Sequence, residues 1–445
     1  MTAHDQTGEL DGGAWPLFET LQSTAIGLLA GAICVMPRVA PWMLTGLALL
    51  YVAANLGGAR SLVKQALAGV APVATLLVPG LGVLSTLWSN DRWTSFATAI
   101  TALLLTVVTL VLLAAVGGQM SRLPAPWRRR FLRAIPLGGL AGLGFLVIET
   151  LTGYGLTRRV LTAFPGLAGE RGKGLRLDGD QVAEIVGFFS NRNVAGLTLL
   201  AIPLLLATWM WLGGQRRWIV SGLAGACVVL VVFGSDSETA KVALVTGGLT
   251  ILAARRWPRQ TMFGLAGALA LGLLFTVTLA RLPLYLKLHE ASWLAYSHRD
   301  RVLIWDTNAE IAGQNPILGA GVEAARIIQE KINAERRQAA RTRDLPRESR
   351  RLALHAHNFY VQIRLDLGFA GSLVALAFGL AMIAGATRLH PRLVAWGMGL
   401  IAATMASAIS GWGLWQYWFL AGLGADTVFL ALIDAELRHR QQAGA

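Results

Sequence analysis

Long apolar runs recur from one end of the chain to the other, and no other feature restricts its fold as strongly. Each is roughly 17–25 residues, the length an α-helix needs to cross a hydrocarbon layer of about 30 Å. Within such a layer every backbone N–H and C=O must be paired inside the segment, so runs of this kind are read as helices. Composition agrees: 54% of the 445 residues are hydrophobic and 14% are charged, about half the charged share of a soluble domain. The expected fold class is an all-α polytopic membrane protein, not two or three soluble domains. Cys34 and Cys227 both lie inside apolar runs, which argues against a disulfide scaffold or a zinc cluster. The polar stretch Met1–Gly13 lacks the basic region and cleavage site of a signal peptide, so the first apolar segment is expected to be retained.

The sequence reads as about twelve transmembrane helices, near 18–36, 39–56, 66–87, 95–116, 131–151, 194–212, 218–234, 239–254, 261–281, 358–386, 393–410 and 412–433. The eighth is short, and the last two can be divided differently around Gly411–Gly413. Pro72 and Pro79 predict a kink or a broken helix in the third. The organisation is then a cytoplasmic N-terminus (1–17), helices one to nine (18–281) with an outer loop at 152–193, a large, partly helical periplasmic segment (282–357), helices ten to twelve (358–433) and a cytoplasmic tail (434–445). An even count puts both termini on one side. Connections on that side carry Arg60, Lys64, Arg122, Arg128–Arg130, Arg216, Arg217, Arg255, Arg256, Arg259, Arg388, Arg392, Arg438 and Arg440, whereas short connections opposite carry Arg38, Arg92 and Lys241. Positive short loops mark the cytoplasmic face.

Lys and Arg number 39 against 25 Asp and Glu, a net charge of +14. In a soluble protein that excess would suggest nucleic acid; in a membrane protein it reflects topology, anionic lipid or an anionic substrate. Many of the basic residues fall in the two long outer segments, against the usual bias, which points to lipid-linked phosphate and away from nucleic acid. Residues 321–354 read as mostly helical, with Arg336, Arg337, Arg341, Arg343, Arg347, Arg350 and Arg351 on a basic surface. That surface is either a solvated face or a contact for phosphorylated lipid headgroups.

Three polar groups lie at the outer ends of spans, where burying charge is costly. Phe188-Phe189-Ser190-Asn191-Arg192-Asn193 opens the sixth span, and an arginine between amides at a helix start offers donors suited to phosphate, or a snorkelling interfacial charge. Ser297-His298-Arg299-Asp300-Arg301 leads to Trp305, one helical turn beyond Arg301; Arg301 could equally pair with Asp300 or Asp306. The following Pro316-Ile317-Leu318-Gly319-Ala320-Gly321 lacks the Lys-Ser/Thr and strand context of a nucleotide loop. Finally, His355-Ala356-His357-Asn358 precedes Arg364 and Asp366. A continuous helix would place His357 and Arg364 two turns apart on nearly one face. A neutral imidazole can accept a hydroxyl proton near neutral pH, although a histidine at a membrane edge can also be structural. Metal binding is disfavoured, because no Cys, Asp or Glu stands at close ligand spacing. Glu149, Asp236, Glu238, Lys241 and Asp426 read as structural or electrostatic partners, with Glu149 within reach of Arg192 and Glu238 neutralising Lys241.

The order of these pieces carries more than any one alone. The Asn-rich span opening, Arg301 with Trp305, the Pro-x-x-Gly-x-Gly stretch and His357-Asn358 before Leu365-Asp366-Leu367-Gly368-Phe369-Ala370-Gly371 together resemble the O-antigen ligase and polymerase superfamily. The resemblance implies a GT-C-like, multi-helix glycosyltransferase of the bacterial inner membrane. The family's ligases transfer a preassembled glycan from undecaprenyl pyrophosphate to a sugar hydroxyl of lipid A–core at the periplasmic face, with no required metal or other cofactor. Matching the motifs places the family's outer arginines at Arg192 and Arg301, expected to bind pyrophosphate, and its histidine at His357, expected to be the base; Arg364 would orient the pyrophosphate or pair locally, and Asn191 and Asn358 are further substrate-binding residues. One departure stands out: where many members show Ser-Arg-Gly after the seventh span, this chain reads Ser237-Glu238-Thr239, and Lys241 is the nearest substitute. The same motifs fit an O-antigen polymerase or a protein O-oligosaccharyltransferase. A secondary transporter or lipid flippase is the alternative from another class, but those place ionisable groups at the membrane midplane, whereas here they gather at one face.

Overall fold

The computed structural model describes residues 15–165, 175–178, 181–185, 190–342, 353 and 355–443. Every run read as a span falls on helix: α1 (Trp15–Val35), α2 (Ala40–Ala53), α4 (Val70–Leu84), α5 (Arg92–Met120), α6 (Ala125–Leu151), α8 (Asn191–Trp211), α9 (Arg216–Phe233), α10 (Glu238–Arg256), α11 (Pro258–Leu274) with α12 (Thr276–Tyr285), α15 (Phe359–Thr387), α16 (Val394–Ser410) and α17 (Tyr417–Ala443). Among the described residues eight helices are long and apolar enough to cross a membrane, and nine if the bent pair α11–α12 forms one span. The protein is an all-α, multi-pass membrane protein. Helices α2 and α16, of 14 and 17 residues, and the charge-ended α10 fall short of that criterion. Small residues bring some of them into the bundle. Gly247 of α10 and Gly399 of α16 let the two backbones touch, since a Cβ on Gly247 would stand 3.2 Å from the Gly399 carbonyl oxygen. Gly27 and Gly31 of α1 face Ala134 and Gly138 of α6 in the same way.

Two breaks differ from the sequence expectation. Helix α4 runs through Pro79 without interruption, so the predicted broken helix is not in the third span. The sharp bend, 81°, lies between α11 and α12. The tenth span is also not one straight helix. Gly368 adopts φ 63° and ψ −155° and divides α15.

That division explains the glycine-rich stretches. The backbone of residues 316–321 docks across it: Phe369 and Ala370 donate to the Pro316 and Ile317 carbonyls at 2.9 and 3.0 Å, while Ala320 and Gly321 donate to Leu365 and Asp366 at 2.8 and 2.9 Å. Backbone groups freed by the kink are thereby paired. Val322 continues the loop into α4 and α5, donating to Ser85 Oγ at 3.2 Å and accepting from Ser95 Oγ at 2.7 Å. A Cβ on Gly368 would overlap the Ile317 carbonyl. Gly368→Ala is expected to destabilise the protein by about 1–3 kcal/mol through that overlap and the left-handed φ, read as a lower melting temperature in detergent.

Both long connections carry secondary structure among their described residues. The first holds α7 (Gly155–Ala163) and an antiparallel hairpin, β1 (Leu175–Asp178) and β2 (Gln181–Ile185), with Leu161, Val182 and Ile185 as a small cluster. The second holds α13 (Tyr296–Ala312) and α14 (Ala324–Thr342). A further short helix, α3 (Ala59–Ala66), joins α2 to α4. Of the expected basic surface, Arg336, Arg337 and Arg341 lie in α14 but their side chains are outside the described residues, as are Arg343, Arg347, Arg350 and Arg351.

Charged clusters sit at both ends of the bundle. At one end Arg128, near the start of α6, donates to Glu436 of α17 at 3.0 Å, and Arg440 reaches the same carboxylate at 2.8 Å. The far end of α6 lies about 40 Å away at 1.5 Å per residue. There Glu149 accepts the backbone N–H groups of Leu156 and Thr157 at 3.2 Å and caps α7, which is its role in place of the anticipated contact with Arg192.

Candidate active site

The end of the bundle marked by Glu149 is where the first turns of α8 and α15, the last turn of α16 and the flank of α13 converge. Arg192 stands in the first turn of α8. Its neighbour Asn193 anchors that turn, donating through Nδ2 to the Cys34 and Val35 carbonyls at 2.9 and 2.6 Å, and Tyr154 Oη lies 2.6 Å from Ser190 Oγ. Arg192 Nε is buried with no hydrogen-bond partner in the protein, and so is Asn191 Oδ1. Arg38, in the short 3-10 turn Pro37–Val39 between α1 and α2, is within electrostatic range of Arg192. Two neighbouring cations favour an anion nearby.

Arg301 comes from α13, whose position is fixed by the Arg281–Asp306 ion pair at 3.1 Å. Arg301 Nη1 lies 3.4 Å from His298 Nε2 and 3.5 Å from Thr239 Oγ1, and Asp306 is taken up by Arg281. Burial pulls the Arg301 guanidinium below the ordinary arginine value, a sign that it is partly stripped of water. His298 is likewise held low, by burial and then by the Arg301 charge. Lys241, considered as a substitute for the missing family arginine, is bound to Glu238 at 2.8 Å, as expected from their spacing.

His357 precedes α15 and is not part of it. Asn358 is the N-cap, its Oδ1 accepting from the N–H groups of Tyr360 and Val361 at 3.0 and 3.2 Å. One expectation changes as a result: His357 does not share a helical face with Arg364. Asn358 starts the helix through its Oδ1. His357 instead takes φ 50°, a left-handed conformation costing roughly 1–2 kcal/mol in an L-residue. Its Nδ1 lies 3.0 Å from the Gly411 carbonyl oxygen. A carbonyl only accepts, so Nδ1 carries the proton and Nε2 keeps its lone pair. Burial lowers the His357 pKa below 6.5, the Arg301 charge adds to this, and the bond to Gly411 opposes it.

His355 stacks on His357, ring centres 4.0 Å apart. Burial, then the charges of His357, Arg301 and Arg192, hold it down at about 3. Arg192 and Arg301 are thus both within electrostatic range of His355, although the three segments are more than 50 residues apart in the chain. Arg364 turns elsewhere: its guanidinium lies 5.1 Å from the Phe369 ring centre, and Nη1 is buried without a partner. Of the residues singled out in the sequence, Arg192, Arg301 and His357 are all neighbours of His355. The sequence presents His355 and His298 only as members of motifs and gives no role to Gly411, which sets the His357 tautomer. The single signal for Gly411 is the glycine pair Gly411–Gly413, crowded against Thr239 and His355.

Chemically, this is a basic, partly dry recess with buried donors left unpaired and one imidazole presenting a free lone pair. It suits a polyanion at Arg192 and Arg301 and proton removal at His357. A comparison with curated proteins gives no match. A family described as O-antigen ligase matches residues 223–376, a range that includes Thr239, Arg301, His355, His357 and Arg364 and leaves Arg192 outside. Over that stretch, about a third of the chain, the protein is similar to the O-antigen ligase family, the ligase and polymerase type of membrane glycosyltransferase.

Proposed function

We propose that the protein is an O-antigen ligase, transferring a preassembled glycan from undecaprenyl pyrophosphate to a sugar hydroxyl of lipid A–core at the periplasmic face of the inner membrane. The observation that carries this reading is the convergence of Arg192 and Arg301 on a histidine pair whose His357 keeps Nε2 unprotonated. In the reaction the acceptor hydroxyl oxygen bonds to the anomeric carbon as the bond from that carbon to the pyrophosphate oxygen breaks. The electron pair leaves on the pyrophosphate, whose growing charge Arg192 and Arg301 stabilise in a low-dielectric recess. The hydroxyl proton passes to His357 Nε2. A single displacement inverts the anomeric configuration. The arginine-rich connections at the opposite end of the bundle support cytoplasmic termini and a periplasmic site.

Purified protein in vesicles with undecaprenyl-pyrophosphate-linked glycan and lipid A–core is expected to place a ladder of glycan on the core. Glycan growth on the carrier alone would mean a polymerase, and ion-gradient-dependent movement of lipid without a covalent product would mean a transporter. The pH dependence adds a second check. The base works unprotonated, and its pKa is depressed, so activity should fall only as pH drops below 6.5, the ordinary histidine value. An acid limb centred above that value would remove the His357 assignment.

A further inference from the structure

Beside His355 lies a cavity of about 170 Å³ lined by Glu323, Arg326, His355, Gln362, Gly413, Trp415 and Gln416. By the space one water occupies it has room for on the order of ten, which is the scale of a hydroxylated six-membered ring. We propose that this cavity binds one pyranose ring of the glycan substrate, next to the bond that reacts; the proposal rests on the glycan-transfer reading above.

The wall chemistry supports that class of ligand. His355 Nε2 is buried without a partner in the protein. Gln362 Oε1 accepts from Leu414 N at 2.9 Å and Gln416 Oε1 accepts from Trp418 Nε1 at 2.7 Å, so each amide keeps its N–H groups as donors. Trp415 ties its own N–H to Asp366 at 2.7 Å, leaving the indole as an apolar wall. Glu323 adds a carboxyl and Arg326 a guanidinium. Donors, acceptors and one aromatic surface match a ring with hydroxyls on its rim and C–H groups on its face. A phosphate would meet the Glu323 carboxyl, and an acyl chain would leave the amides and imidazole unpaired in a buried space.

Glu323 is also held with effort. It adopts φ 65°, just after the loop pinned by Ser85 and Ser95 and just before Ala324, whose N–H donates to Asp366 at 3.1 Å. A charged residue kept in a left-handed conformation by rigid neighbours is typical of binding positions. Burial raises its carboxyl above the ordinary value while Arg326 pulls it back, and its oxygens can accept from a hydroxyl.

The test is saturation-transfer NMR on the full-length protein in detergent. The probes are methyl β-D-glucopyranoside, methyl β-D-galactopyranoside and methyl N-acetyl-β-D-glucosaminide, with core oligosaccharide from deacylated lipopolysaccharide and acid-released repeat oligosaccharide as two further arms. At least one glycoside should bind the wild type and bind about tenfold more weakly to Gln416→Ala and to Glu323→Gln, the loss expected for one hydrogen bond to a charged or buried group. Preference for core or repeat oligosaccharide identifies the ring as acceptor or donor. Each variant is compared at an unchanged melting temperature, and either one alone decides the matter. A wild type that binds no probe, or a folded cavity variant that binds as the wild type does, overturns the subsite. Loss of sugar binding in these variants from a protein that transfers no glycan would uphold the subsite and remove the proposed ligase activity.

Discussion

Replacing His357 is expected to lower glycan transfer by at least about a hundredfold, the scale of a lost general base. The prediction depends on a backbone as well as a side chain. His357 sits at φ 50°, and asparagine tolerates that region better than most residues. His357→Asn therefore keeps the backbone conformation while removing the lone pair at Nε2, and His357→Ala tests the same loss with less backbone support. Both should melt within a few degrees of the wild type, because the Asn358 cap on α15 and the loop docked at Gly368 remain. The donor should still bind, since Arg192 and Arg301 are untouched. A folded His357→Asn protein with wild-type turnover would show that His357 is structural, the other role a histidine at a membrane edge can have.

The second large effect is expected at Arg301. Stabilisation of a leaving pyrophosphate by a fixed cation in a water-poor recess is worth about 10²–10³-fold in rate. Arg301→Ala should lose that much and bind the donor more weakly. Arg301→Lys should recover only part, because an ammonium is a point charge without the planar fork that fits two phosphate oxygens. The loss has a second consequence that an uninvolved surface arginine would not produce. The Arg301 charge depresses the pKa of His298 and of His357, so its removal should move the acid limb of the pH–rate profile upward. Rate loss without that movement would place Arg301 away from the histidines. Arg192→Ala should give a loss of the same order.

Much of this architecture is legible in the sequence, for a physical reason. The length needed to cross a hydrocarbon layer imposes itself on every span, and each apolar run appears as helix. The breaks are not legible by the same rule. Proline at 79 is accommodated within α4, whereas Gly368 takes a left-handed conformation that only its docking with residues 316–321 explains. The two glycine-rich stretches could be recognised as motifs, but not as partners, because backbone pairing between distant segments leaves no periodic trace. His357 and Arg364 show the opposite error. Spacing alone put them on one helical face, although the Asn358 side chain that begins α15 was a visible helix-start signal. His355 reads in the sequence only as a neighbour of His357, and the packing of their rings emerges only when α13, α15 and the Gly411–Gly413 turn are brought together.

The central claim is that this site transfers a glycan from a pyrophosphate carrier with His357 as the base and arginines holding the leaving group. The most direct measurement counts both products of a single reaction. Purified protein is given undecaprenyl-pyrophosphate-linked glycan and lipid A–core in the presence of a chelator, and glycan on the core is compared with undecaprenyl pyrophosphate released. The account predicts one carrier released for each glycan joined, with inverted configuration at the new linkage, and neither product from His357→Asn. Carrier release without glycan on the core, retained configuration, or full turnover by His357→Asn would contradict it.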